Sequence, residues 1–385
     1  MKILFNDLAS QWKEIKGKCA PSLEKLLDSG MYIGGEALEE FEEAFACYTG
    51  RKYAAGVSNG TDGLKLAIQS FEFYTGSTDV IMPANGYIAD VLGVAHQTQG
   101  NFKISLIDCD NFFQLDLDKV EKHLKRWREK YNNCIILAVH LYGHPVHIQK
   151  LKCLADKYNC KILEDASQAH GALSNDEMVG SYADLCVYSL YPGKNLGAMG
   201  DAGIITTDNP DYYKKICELR NYGSPKKYHN NDVGWNNRLD PIQAVFLKHK
   251  LPHLDRWNLK KKEIADKYSE GINSSYAITP KNAPHVTRNS YHIYPLLVDE
   301  REAIQNHLNE RKVPTLIHYP IPPYKSAPFE YLKDRAEYFS GPPANTDKFA
   351  DKLLSLPMHP FLSNAQVEYI INAIKEISAK LISQL

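Results

Sequence analysis

The sequence predicts an α/β protein: a large domain on a mostly parallel seven-stranded sheet, followed by a smaller C-terminal α+β domain. Three observations carry this. Between about Lys52 and Asp208, short β-branched or apolar runs alternate with segments whose apolar residues recur at i, i+3 and i+4, the pattern of strands joined by crossover helices. After Arg238 the alternation stops and long helical stretches take over. The chain has 385 residues, more than a single core ordinarily serves, which favours two domains.

In chain order, the segment before Tyr53 holds an acidic amphipathic stretch, 36–48, able to pack on either domain. Strands are expected over 53–57, 80–83, 104–107, 135–140, 161–164, 185–189 and 203–206, and the helices between them over 63–73, 88–97, 117–131 and 148–158. The large domain is expected to span 1–240. The rest, 241–385, begins with a bridging helix over 241–271 that Pro252 should kink or break. A strand over 291–298, a helix over 301–311, a Pro-rich loop over 318–328 and a C-terminal helix over 364–381 complete the small domain.

Composition narrows the function class. Hydrophobic residues make up 44% and charged residues 24%, with a formal net charge of -1, so bulk electrostatics indicates neither nucleic acid nor an anionic membrane as partner. Basic groups such as Lys260-Lys261-Lys262 have acids close by and read as solvated helix faces. The apolar runs, such as 134–139, fall far short of the ~20 residues of a spanning helix, and the N-terminus turns charged too soon for an export signal. The eight cysteines are scattered without a C-x-x-C pair. A soluble cytoplasmic protein with reduced thiols is expected.

In a parallel sheet, ligands sit beyond the carboxyl ends of the strands. After the first strand, Ser58-Asn59-Gly60-Thr61-Asp62-Gly63 opens a helix; its free N–H groups, with the Thr61 hydroxyl, can cradle a phosphate. Taken alone, the stretch is first of all a helix cap. After 161–164 comes Asp165, a carboxylate in apolar surroundings that needs a cationic partner or hydrogen bonds to stay ionised; a helix N-cap is an equal reading. Lys194 lies in a Pro/Gly-shaped loop between two buried strands, in SLYPGKNLGAMGDAG (189–203). The loop lacks the upstream glycine and the following Ser or Thr of a P-loop. A lysine whose pKa is lowered by burial and a nearby cation can form a Schiff base. His140, His144 and His147 straddle a strand end and a turn, and no metal is expected there.

Together these motifs resemble the DegT/DnrJ/EryC1/StrS family of nucleotide-sugar aminotransferases, which use pyridoxal 5'-phosphate (PLP) and share the aspartate-aminotransferase fold type I. The resemblance also rests on NGTDGLKLA (59–67), HLYGHP (140–145), EDASQAHGA (164–172), RNYGS (220–224), NNRLDPIQA (236–244) and HYPIPP (318–323). It implies that Lys194 carries PLP as a Schiff base, that Asp165 pairs with the pyridinium nitrogen, and that Gln168 lies near the ring hydroxyl. Gly60, Thr61 and Ser189 would hold the phosphate, and Tyr87 would lie against the ring. Asn236 and Arg238 match residues that reach a phosphate in the neighbouring subunit, so a homodimer with shared sites is implied. His318, Tyr319 and Arg220 are expected on the substrate side, with packing roles nearly as well supported. The implied reaction moves an amino group from L-glutamate to a dTDP- or UDP-linked keto-6-deoxyhexose, with HYPIPP, YPGKNLGA and NNRLD together resembling the branch that aminates carbon 3 more than that for carbon 4. A dehydratase or a non-catalytic PLP-binding protein is the rival; Lys194 disfavours the common, lysine-lacking dehydratase. Departures from the family pattern are small: Ala202 for Gly, His144 for Gln and Gly86 for Thr.

Overall fold

A computed structural model of the chain describes residues 2–97, 99–272, 274–330, 336–338 and 343–383. Its centre is a sheet of β1 (Tyr53–Val57), β2 (Ser77–Pro83), β3 (Asn101–Ile107), β4 (Asn133–Val139), β5 (Lys161–Asp165), β8 (Leu185–Ser189) and β9 (Gly203–Thr207), the seven expected strands. The small strands β6 (Leu173–Ser174) and β7 (Glu177–Met178) form a hairpin apart from it, joined by β11 (Val286–Arg288). The order is β1-β9-β8-β5-β4-β2-β3, with β1 and β9 antiparallel to their neighbours and the rest parallel. An eighth strand, β13 (Ala336–Tyr338), pairs in parallel with β3.

Successive residues of β4 point to opposite faces, Ile135 and Leu137 into one core and Ile136 and Ala138 into the other, as the two-residue period of a strand requires. One face is covered by α3 (Gly60–Ser70), α4 (Ile88–Ala95) and α7 (Pro210–Leu219), whose Leu64, Ile68, Val91 and Ile216 are buried there. The other carries α2 (Glu36–Thr49), α5 (Leu117–Trp127), α6 (Ile148–Tyr158) and α8 (Pro241–Lys250) through Phe41, Leu124, Leu151 and Leu247. The acidic stretch therefore packs on the large sheet, and α1 (Leu8–Ser29) lies outside it against α8 through Ile15, Cys19 and Phe246.

The bridging helix is broken where Pro252 demands it: α8 ends at Lys250, one 3-10 turn spans Leu251–His253, and α9 (Leu254–Gly271) follows. A third core forms around the sheet of β10 (Ala277–Ile278), β12 (Tyr294–Val298) and β14 (Leu353–Leu356), where α9, α10 (Arg301–Glu310) and α13 (Asn364–Ile382) bury Tyr268, Ile304 and Ile370. The Pro-rich loop includes the short α11 (Ala327–Glu330). β12 starts three residues later than expected, because Tyr291 takes a left-handed φ of 44° and Ser290 N–H is tied to Gly143 O. The C-terminal half also returns to the large sheet: before α12 (Ala344–Lys352) is fully under way, the backbone N–H groups of Asn345 and Thr346 bond Asp108, just beyond β3, at 3.1 and 3.0 Å.

Candidate active site

Beyond the carboxyl ends of the parallel strands lies a cleft of about 850 Å³. Its first corner is the start of α3. Asn59 is extended and its side chain accepts the Asp62 N–H at 2.8 Å, so the helix begins at Gly60, three residues before the expected position. The N–H groups of Gly60 and Thr61 belong to the first turn, where no intrahelical acceptor exists. They lie against Ser189 at the end of β8: a Cβ added at Gly60 would stand 2.8 Å from the Ser189 Cβ, and one at Gly203 would stand 2.6 Å from the Asn59 carbonyl. Backbone and hydroxyl donors are thus brought together at a distance only glycine permits.

Lys194 stands half-buried at the floor of the same cleft. Its loop is closed by Leu190 N–H on Ala202 O at 2.8 Å and Ala198 N–H on Leu190 O at 2.7 Å. Two buried lysines brace it from below: Lys250 Nζ donates to Gly197 O at 2.6 Å and Lys261 Nζ to Asn195 Oδ1 at 2.8 Å. The Asn195 amide in turn donates to Asn258 Oδ1 and Ser290 O at 2.8 and 2.7 Å. Loss of hydration lowers the Lys194 amine to about 8, against the opposing pull of Asp165 and Asp90. The sequence reading assigned part of that lowering to a nearby cation; the charged groups acting on the amine are acids instead, and burial does the work.

Asp165 ends β5 and is 7% exposed, and its Oδ1 accepts the Ser167 N–H at 2.8 Å. Beside it is a residue that the sequence reading missed, Asp90, in the first turn of α4 and only 5% exposed. Burial first, and then Asp165, push the Asp90 carboxyl well above the ordinary range. Its sequence signal was an acid three residues after Tyr87 within the apolar run Ile88-Ala89-Asp90-Val91-Leu92. His292 and Asn6 also escaped notice. His292 lines the cleft with Nδ1 3.2 Å from Asn195 Oδ1, and Asn6, from the distant N-terminus, donates to Gly193 O at 3.2 Å.

The opposite wall is aromatic. Tyr87 is 52% exposed and lies 5.3 Å from Tyr319, ring to ring. Gln168 Nε2 donates to the Tyr319 hydroxyl at 3.2 Å while its Oε1 accepts the Tyr142 N–H at 2.7 Å, so that both ends of the amide are held. His318 lines the cleft with Nδ1 2.9 Å from Ser355 Oγ, and burial lowers it to about 4.

The structure does not bring every expected residue here. Arg220 does not line the cleft of its own chain: it pairs with Glu42 and donates to Gly56 O, in β1, at 2.7 Å. A buried guanidinium needs those acceptors, and they are structural. Asn236 and Arg238 also lie outside the cleft of their own chain; Arg238 donates to Asn221 Oδ1 at 2.7 Å and sits over the Tyr222 ring. The histidines of HLYGHP and its surroundings are occupied otherwise. His140 bonds Glu164 at 2.8 Å, His144 accepts the Ala283 N–H at 3.0 Å, and His147 caps α6.

These residues fit PLP. The glycine-lined start of α3 with Ser189 offers donors to a phosphate. The Lys194 amine and the buried Asp165 carboxylate, the groups that an aldehyde and a ring nitrogen call for, line one cleft with the Tyr87 and Tyr319 rings. The profile of the DegT/DnrJ/EryC1/StrS aminotransferase family matches residues 13–375. The dTDP-3-amino-3,4,6-trideoxy-alpha-D-glucose transaminase of Streptomyces venezuelae is 36% identical over 97% of this chain and 96% of its own length. The dTDP-3-amino-3,6-dideoxy-alpha-D-galactopyranose transaminase of Aneurinibacillus thermoaerophilus is 38% identical over 97% of this chain and 98% of its own. The crystal structure of S. venezuelae DesV in complex with a ketimine intermediate superposes with a TM-score of 0.89 at 34% identity, over 98% of both chains.

Proposed function

The chain belongs to the DegT/DnrJ/EryC1/StrS aminotransferase family, and on that premise we propose that it is a PLP enzyme that moves an amino group from L-glutamate to carbon 3 of a nucleotide-linked keto-6-deoxyhexose. The observation that carries the reading is one cleft holding the Lys194 amine, the Asp165 carboxylate and the open start of α3. Support for carbon 3 comes from the relatives, two of which are named for 3-amino sugars.

PLP supplies an electron sink in which the amino group is held between two half-reactions. Lys194 holds the cofactor between turnovers and is released when the donor amine takes its place. With a pKa of about 8, the freed Nζ is in the range where a base both accepts and returns a proton efficiently. It would take the proton from the donor α-carbon and return it on the cofactor side, so that with one water taken up 2-oxoglutarate leaves and its amino nitrogen stays behind. In the second half Nζ moves a proton the other way, onto the sugar carbon that gains nitrogen. Asp165 would supply a negative charge to the ring nitrogen, while Gly60, Thr61 and Ser189 would hold the phosphate. Tyr87 packs on the ring. Gln168 and Tyr142 fix Tyr319, and His318 and Tyr319 face the sugar. Asn236 and Arg238 reach the site of a second copy.

The test is to incubate the protein with PLP, L-glutamate and a panel of dTDP- and UDP-linked 3-keto- and 4-keto-6-deoxyhexoses, and to assign the product by NMR. An amine at carbon 3 with matching 2-oxoglutarate is expected. An amine at carbon 4 would overturn the regiochemistry, and a cofactor that never responds to any amino donor would favour a non-catalytic PLP-binding protein.

A further inference from the structure

The reading above needs Asp165 as an anion and leaves a second carboxyl beside it without a task. Asp90 enters the cleft from the first turn of α4, and its carboxyl lies within hydrogen-bonding reach of that of Asp165, at the end of β5. Both are shielded from water outside the cleft, at 5% and 7% exposure. The Asp90 Oδ1 has no hydrogen-bond partner among the described residues, whereas Asp165 takes the Ser167 N–H. An ionised carboxylate buried without a donor is costly. Two carboxylates in contact cannot both ionise cheaply, so the pair keeps one proton.

We propose that Asp90 is a positioning residue for Asp165: it carries the one proton of the pair and donates it in a hydrogen bond to Asp165, which stays ionised and turned toward the cleft. The assignment of proton and anion follows from the donors. Asp165 has the Ser167 N–H and, in this arrangement, the Asp90 O–H as well; the Asp90 carboxyl has only its own backbone N–H, and its Oδ1 has no partner among the described residues. The other titratable groups facing Asp90 are Lys194 and Tyr319. Lys194 favours one anion in the pair, and the Asp165 charge satisfies it. The burial that lifts Asp90 well above the usual carboxylate range acts in the same sense. The arrangement deepens the PLP reading and rests on it for its purpose, since an anion held in a fixed direction is what a pyridinium nitrogen requires.

The pairing is tested in the full-length apoprotein, so it stands or falls apart from the cofactor. Infrared difference spectra of wild type against Asp90→Asn at neutral pH, with carboxyl-13C aspartate for assignment, should show the loss of a protonated carboxylic-acid C=O band. Loss of carboxylate bands instead would overturn the proposal. Asp90→Leu removes the donor altogether. With PLP added, the pH midpoint of cofactor absorption should move in Asp90→Leu and return toward wild type in Asp90→Asn, a rescue that a purely space-filling role would not give.

Discussion

Lys194 is an ordinary lysine made useful by its setting: the floor of the cleft strips water from the amine and brings it to about 8. Below that pH the group is ammonium and cannot attack an aldehyde. Capture of PLP by apoprotein should therefore quicken as pH rises toward about 8 and level off above it, which stopped-flow absorbance measures. Lys194→Ala should lose both the absorption band of lysine-bound cofactor and turnover. Glycines, a proline and two flanking strands made this lysine a candidate in the sequence, but an ordinary loop lysine was the reading of that stretch alone, and a helix N-cap an equal reading of Asp165; it took the family motifs together to single the two residues out. Asp90 was not legible, because one acid in a helix reads as favourable first-turn charge until its neighbour across the sheet is known. Arg220 was placed on the substrate side from its motif; within its own chain it instead satisfies Glu42 and the Gly56 carbonyl in β1.

At the scale of elements, α3 and the Lys194 loop fix the two ends of the site. Gly60→Ala would drive a methyl into Ser189 at 2.8 Å and should weaken PLP binding by roughly ten- to a hundredfold, the loss of one or two charge-assisted bonds; equilibrium dialysis reads this directly. Lys250 and Lys261 hold the loop from α8 and α9, and burial lowers both to about 7. Their folded pKa lies below the unfolded value, so between about pH 7 and about 10 the unfolded chain binds more protons and stability rises with pH. Lys250→Met should flatten that rise in thermal unfolding and, by freeing the Gly197 carbonyl, lower PLP affinity. Strand positions were well marked in the sequence, since short apolar runs alternating with helix-period segments admit little else. The start of α3 and of the strand before Val298 were less so: Asn59 extends α3 backwards through its cap, and the left-handed Tyr291 delays β12.

For the whole molecule, the site draws on segments far apart in sequence, from Asn6 to His318. Those meetings depend on the fold and no local pattern announces them. Asn236 and Arg238 do not line the cleft of their own chain, and Arg238 sits over the exposed Tyr222 ring; their proposed action in a second copy can be tested directly. If they act there, mixing Lys194→Ala with Arg238→Ala, each inactive, should restore part of the activity through hybrid dimers, and no restoration would argue for sites complete within one chain. Among the described residues no helix is long and apolar enough to cross a membrane, and the cysteines present are unpaired. Three lysines, the half-buried Lys194 and the buried Lys250 and Lys261, have lowered pKa values around one loop, yet of the three only Lys194 lines the cleft. Borohydride reduction of the protein loaded with PLP, followed by peptide mass mapping, therefore tests the account most directly. The account predicts a phosphopyridoxyl group on Lys194; the label on Lys250, on Lys261 or on no lysine at all would contradict it.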